Sequence, residues 1–221
     1  MTQTKRHSFA HLVVAIIGVF TAAFALFLFN QHVLMTFSLP IRMVLMIITQ
    51  WSLFLVPGIL LLVNDERFVD LGFSSEKIPT QVIIGILIAI VMSLILTVLP
   101  ILLGFKEMVG NTEYSESWQF IYQFIYATFG VALAEELVFR GFIFRKLLEI
   151  RDSRWLAIIV SSLLFGLFHI FNGNIIQLFV TALIGFLYCI FREKVRSCTL
   201  LSLIIAHGIY DGLIVLWVSV L

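Results

Sequence analysis

Uncharged stretches at 9–29, 43–63 and 82–103 mark out the first half of the chain. Each is long enough to cross a hydrocarbon core of about 30 Å at about 1.5 Å per residue. The second half is broken by polar positions. Residues 118–144 contain Glu135, Glu136 and Arg140, whereas 155–191 hold no Asp, Glu, Lys or Arg but exceed the length of one span. Asn172-Gly173-Asn174 is the natural turn dividing that stretch into 155–171 and 175–191, and 197–221 supplies a last span. The pattern predicts an all-α, polytopic membrane helix bundle of about seven transmembrane helices. No connection is long enough for a soluble domain, so 1–221 is expected to form a single integral membrane domain.

Composition agrees with that reading. Of 221 residues 61% are hydrophobic, and 14 basic residues nearly balance 13 acidic ones, which excludes an ordinary water-soluble globule. A net charge of +1 without any Lys/Arg tract leaves nothing for a phosphate backbone to meet, so no nucleic-acid partner is expected. The bilayer itself is the expected partner. Cys189 and Cys198 alone support neither a disulfide framework nor a Cys-rich metal site.

The first span follows Lys5-Arg6 and runs apolar past the Ala23-Phe24-Ala25 that superficially resembles a cleavage site, so it reads as an uncleaved anchor. A cytosolic N-terminus places Lys5, Arg6, Arg67, Lys77, Arg145, Lys146, Arg151, Arg154, Arg192, Lys194 and Arg196 on the inner side. Only Arg42 and Lys106 fall opposite. The expected location is the plasma membrane of a prokaryote.

Ionisable groups inside these spans need a reason, since a mid-bilayer charge costs about 2.5–3.5 kcal/mol on insertion scales. Glu135, Glu136 and Arg140 lie on the fourth span, His169 on the fifth, His207 and Asp211 on the seventh. Glu136 and Arg140 are four apart and can form the favoured acid-before-base pair. Glu135 is turned by about 100° on an ideal helix. Glu136 therefore reads as the neutralised acid and Glu135 as the one available for chemistry. His207 and Asp211 share a face, which lets a carboxylate orient an imidazole. Counted at about 1.5 Å per residue, Glu135 lies about 15 Å from Arg145, His207 about 17 Å from Arg196 and His169 about 22 Å from Arg154.

A lone histidine on an apolar helix is more often a packing residue, and one buried ion pair can simply lock helices together. Two carboxylates and two imidazoles at similar depth favour function. Gly130, Ala134, Gly166, Gly185, Gly208 and Gly212 read as small residues for close helix approach, Gln50 and Gln177 as interhelical hydrogen-bonders, and the many Phe residues as lipid-facing bulk.

Three motifs in order, Glu135-Glu136-Leu-Val-Phe-Arg140, Phe165-Gly-Leu-Phe-His169 and His207-Gly-Ile-Tyr-Asp211, resemble the EExxxR, FxxxH and HxxxN/D signatures of the CPBP (Abi) intramembrane protease family. The resemblance covers 118–212 as a CAAX protease-like core, with 1–117 contributing three further spans. It implies an endopeptidase acting inside the bilayer on membrane-embedded, lipidated or hydrophobic peptides, related to type II CAAX prenyl proteases and to bacteriocin-processing and immunity proteins. Carried onto this chain, Glu135 with His169 would activate water, and His207 with residue 211 would stabilise the oxyanion. Phe165 would be a packing residue of its motif.

Asp211 departs from the frequent Asn. An ionised carboxylate would repel an oxyanion, so Asp211 is protonated, holds His207 or binds a metal. The family is commonly classed as metallopeptidase, and Glu135, His169 and His207 could ligate Zn²⁺ with an open water position. No HExxH is present, and a metal-free Glu/His mechanism is slightly favoured. Two other classes remain open, a non-catalytic bacteriocin-immunity or scaffold protein and an ion-coupled transporter. The segment 217–221 is not a CAAX box, so the chain is not expected to be its own prenylated substrate.

Overall fold

The computed structural model describes residues 3–172 and 175–221, so Gly173 and Asn174 of the expected turn lie outside the described residues. Among the described residues there are helices and no strand. Six helical runs among the described residues are long and apolar enough to cross a membrane, and the protein is an integral membrane protein. In chain order the long helices are α1 (Gln3–His32), α2 (Leu39–Val63), α3 (Ile78–Leu102), α4 (117–150), α5 (Arg154–Phe171), α6 (Ile175–Lys194) and α7 (Leu200–Val220). The run not counted among the six is α4, which carries the internal charges.

Local chemistry explains where these helices start and bend. Glu116 opens α4 through a reciprocal capping box with Gln119, Ser153 Oγ accepts from Leu156 N–H at the start of α5, and Thr199 caps α7 with Ser202. Pro57 cannot donate to the preceding turn, and a 3₁₀ stretch at Trp51–Phe54 precedes it in α2. The same conflict at Pro100 accompanies a π-helical stretch at Leu94–Val98.

The chain divides into two compact units. The first comprises Met1–Phe73 and Ala134–Arg196, hence α1, α2, the second half of α4, α5 and α6. Close approach within it depends on small residues. A Cβ at Gly166 would lie 2.6 Å from Ala182 Cβ and from the Leu178 carbonyl, and one at Gly18 would lie 2.6 Å from Val56. The second unit comprises Ser74–Leu133 and Ser197–Leu221, hence α3, the first half of α4 and α7. There Gly85 abuts the Ser202 carbonyl, Gly208 abuts Thr128 and Gly212 abuts Phe124, each closer than a Cβ allows. Trp217 Nε1 donates to Ser93 Oγ at 2.8 Å, tying α7 to α3.

The reading of phenylalanine as lipid-facing bulk needs correction. Phe9, Phe24 and Phe129 are exposed, but Phe139, Phe142, Phe144 and Phe165 are buried. Two of these rings face buried cations: Arg140 lies over the Phe165 ring at 4.0 Å and Lys146 over the Phe142 ring at 5.7 Å.

One polar cluster fastens the first unit near the end of α4. Lys146, only 3% exposed, donates to Glu66 Oε1 at 2.6 Å and to Glu149 Oε2 at 2.9 Å. Arg145 pairs with Glu66 and Glu149 at 3.0 Å each, and Ser8 Oγ of α1 donates to Glu149 Oε2 at 2.8 Å. Burial alone would raise the Glu149 carboxyl, but Lys146 and Ser8 donate to it and hold it below the usual 4.5. A depressed carboxylate stabilises the fold above its unfolded value, and that contribution fades as pH falls through the folded one. Melting temperature in detergent should therefore drop on acidification below about pH 4.5, and Glu149→Gln should flatten that part of the curve. An unchanged acid limb in the variant would remove Glu149 as its source.

Candidate active site

The sequence candidates fall into two groups. Glu135, Glu136, Arg140, Phe165 and His169 belong to the first unit, His207 and Asp211 to the second.

In the first group, Glu135 and Glu136 occupy a single α-helical turn, Leu133–Glu136, between π-helical stretches at Tyr126–Ala132 and Leu137–Ile143. Such wide turns concentrate at functional sites and rotate the residues beyond them relative to an ideal helix. Facing angles counted at a uniform period therefore do not hold across Leu137–Ile143. The ion pair nevertheless forms: Arg140 Nη1 donates to Glu136 Oε1 at 3.0 Å, with both side chains 0% exposed. Glu135 is 4% exposed.

Arg140 is enclosed by aromatic faces, with Phe165 at 4.0 Å and Tyr188 at 5.5 Å. The space it fills exists because position 185 is glycine. A Cβ there would lie 2.9 Å from Arg140 Nη2 and 3.1 Å from Phe165. Sequence reading took Gly185 for a helix-packing residue, whereas here it makes room for a side chain.

Phe165 links the first two motifs. Its ring covers Arg140, and it contacts the His169 ring edge-on with centroids 4.8 Å apart. His169, half-buried, closes α5 at a 3₁₀ turn, and its Nδ1 lies 2.8 Å from the Phe165 carbonyl oxygen. A carbonyl only accepts, so Nδ1 is the donor, and in the neutral form of the ring the lone pair is on Nε2. The backbone of the FxxxH motif itself sets this tautomer.

In the second group His207 is buried, and its Nε2 stands 3.4 Å from Asp211 Oδ2 one turn along α7. That is an ion-pair distance, longer than a strong hydrogen bond, and it leaves Asp211 placed to orient and charge-balance the ring. Next to His207, Gly208 lets α7 approach α4 closely, since a Cβ there would lie 2.4 Å from Thr128 Oγ1.

Among the described residues, no group of three or more His, Cys, Asp or Glu side chains is placed to hold a metal ion. The candidate Zn²⁺ set of Glu135, His169 and His207 draws on both units.

Sequence reasoning missed Arg192. Counted there as a cytosolic charge, it donates to the backbone carbonyls of Arg140 and Leu71 and lies 5.3 Å from the Phe144 ring. Its neighbours are remote in sequence, so no local spacing could announce the contact.

No curated protein and no solved structure matches the chain. Residues 117–213 match the family model described as Type II CAAX prenyl endopeptidase Rce1-like. All three motifs fall inside that match, from the capped start of α4 to the His207–Asp211 turn of α7. The stretch carrying Glu135, His169 and His207 is thus similar to the Rce1-like type II CAAX prenyl endopeptidase family.

Proposed function

We propose that this protein is an intramembrane endopeptidase that hydrolyses peptide bonds of membrane-embedded, lipidated or otherwise hydrophobic peptides. The observation that carries the reading is the buried Glu135, set beside an acid already neutralised by Arg140, within the segment that matches the family. A second adjacent carboxylate in a membrane helix adds cost without adding a cap, and catalysis is what repays it.

In this reading Glu135 takes a proton from a water molecule positioned by the Nε2 lone pair of His169. The resulting hydroxide attacks the scissile carbonyl carbon. His207, protonated and oriented by Asp211, donates to the tetrahedral oxyanion. Glu135 then returns its proton to the amide nitrogen as the C–N bond breaks. Asp211 works here as a positioning carboxylate, which answers the repulsion that an ionised acid facing the oxyanion itself would create. The N-terminus is cytosolic in this reading, from the distribution of Lys and Arg, and the membrane is taken as a prokaryotic plasma membrane.

The test uses purified protein in proteoliposomes, with one hydrophobic peptide offered in farnesylated and unmodified forms. Cleavage of at least one form is expected, and it should persist after prolonged chelation with no stoichiometric metal found by elemental analysis. Metal whose removal stops cleavage and whose return restores it would overturn the metal-free mechanism. Failure to cleave either form counts against the enzyme and leaves a scaffold or immunity role.

A further inference from the structure

We infer that Arg192 is a positioning residue for the catalytic turn of α4, an inference that rests on the endopeptidase reading for its effect on activity. The argument begins with a displaced hydrogen bond. In a regular α-helix Phe144 N–H would donate to the Arg140 carbonyl four residues back. In this chain it donates to the carbonyls of Phe139 and Gly141 instead. The π-helical turn thereby takes from the carbonyl of the buried Arg140 its regular Phe144 donor. Arg192 Nη1, from the last turn of α6, donates to that oxygen.

The second donor of the same guanidinium, Nη2, reaches the Leu71 carbonyl at 3.3 Å, so one planar group joins the loop before α3 to the distorted turn of α4. The loop is shaped to receive it. Gly72 has φ +112°, in the region that favours glycine, and a Cβ there would lie 2.2 Å from Arg192 Nη2. The Phe144 ring, 5.3 Å from the guanidinium carbon, covers another side. All of these groups lie in the first unit.

The clamp acts on geometry. Glu136 and Arg140 are joined by their ion pair, and the wide turn after Glu136 sets how Arg140 faces relative to the Glu135–Glu136 turn. Holding the Arg140 carbonyl in its displaced state holds that turn open. Without the clamp, Phe144 N–H can re-form the regular bond, which would rotate Glu135 away from the water it activates. A lysine keeps the charge but cannot fork to two carbonyls in fixed geometry.

The experiment compares wild type with Arg192→Met, Arg192→Lys, Gly72→Ala and Glu135→Gln in the same proteoliposomes, using the peptide of the preceding test. Amide hydrogen exchange is followed over the segment 139–146. Arg192→Met should lower kcat on the order of 10²-fold, as expected for misplacement of a reacting group, with KM little changed. Arg192→Lys should recover part of that loss, and Gly72→Ala should resemble Arg192→Met. Exchange over 139–146 should accelerate about tenfold in the Met and Ala variants while α1 keeps its protection, which separates local loosening from failure to fold. Unchanged exchange over 139–146 in Arg192→Met, or a defect confined to KM, would overturn the inference. A wild-type protein that cleaves nothing removes the endopeptidase reading, while the exchange data still decide whether Arg192 holds the turn.

Discussion

Replacing Glu135 by Gln is expected to abolish peptide cleavage while leaving the protein inserted and folded. The amide keeps the shape and polarity of a side chain that is 4% exposed, so packing around it changes little. What it loses is the ability to take a proton. General-base catalysis contributes on the order of 10²–10⁴-fold, so kcat should fall by that factor with no comparable change in KM. His169→Gln should produce a loss in the same step, because the Phe165 carbonyl fixes the histidine tautomer with its lone pair on Nε2. Single-turnover assays with one hydrophobic peptide measure both. Retention of more than about a tenth of wild-type kcat in Glu135→Gln would be too much for a general base and would sink that assignment.

The helices were readable because a bilayer demands long uncharged runs, and nothing in a local spacing of apolar residues competes with that demand. The spacing of Glu136 and Arg140 read as an ion pair, and the pair forms at 3.0 Å. The His207–Asp211 spacing likewise brings the two side chains within 3.4 Å on α7. Neighbours three or four apart on one helix are determined by backbone geometry alone. Other features were hidden for the opposite reason. The π-helical turns around Glu135 and Glu136 leave no signal in the spacing of apolar residues. Arg192 counts as a terminal charge in any tally of loops, yet its guanidinium is spent on Leu71 and Arg140. Gly185 looks like any small membrane residue until Arg140 Nη2 is found 2.9 Å from where its Cβ would be. Long-range contacts of this kind depend on tertiary packing, and spacing carries no trace of them.

Replacing Glu136 by Gln is expected to damage the fold, in contrast to the neighbouring substitution at 135. Glu136 and Arg140 are both 0% exposed, and Arg140 also rests against Phe165 and Tyr188. The aromatic faces offset part of the cost of burying a guanidinium, but they carry no formal charge. Gln removes the carboxylate that pairs with Arg140 at 3.0 Å and leaves the cation enclosed. Breaking a buried pair by deleting one partner costs about 3–5 kcal/mol, far more than the pair contributes relative to an apolar replacement. Arg140 is walled in by Gly185 on α6, where even a methyl group would lie 2.9 Å from Nη2, so it has little room to withdraw. Thermal unfolding of both purified variants in one detergent gives the comparison. The expected result is a large fall in melting temperature for Glu136→Gln and a small one for Glu135→Gln. The double variant Glu136→Gln, Arg140→Met should regain much of the loss, because it removes the stranded charge together with its partner. Equal destabilisation by the two single substitutions would mean that the adjacent acids do not divide structure and chemistry between them.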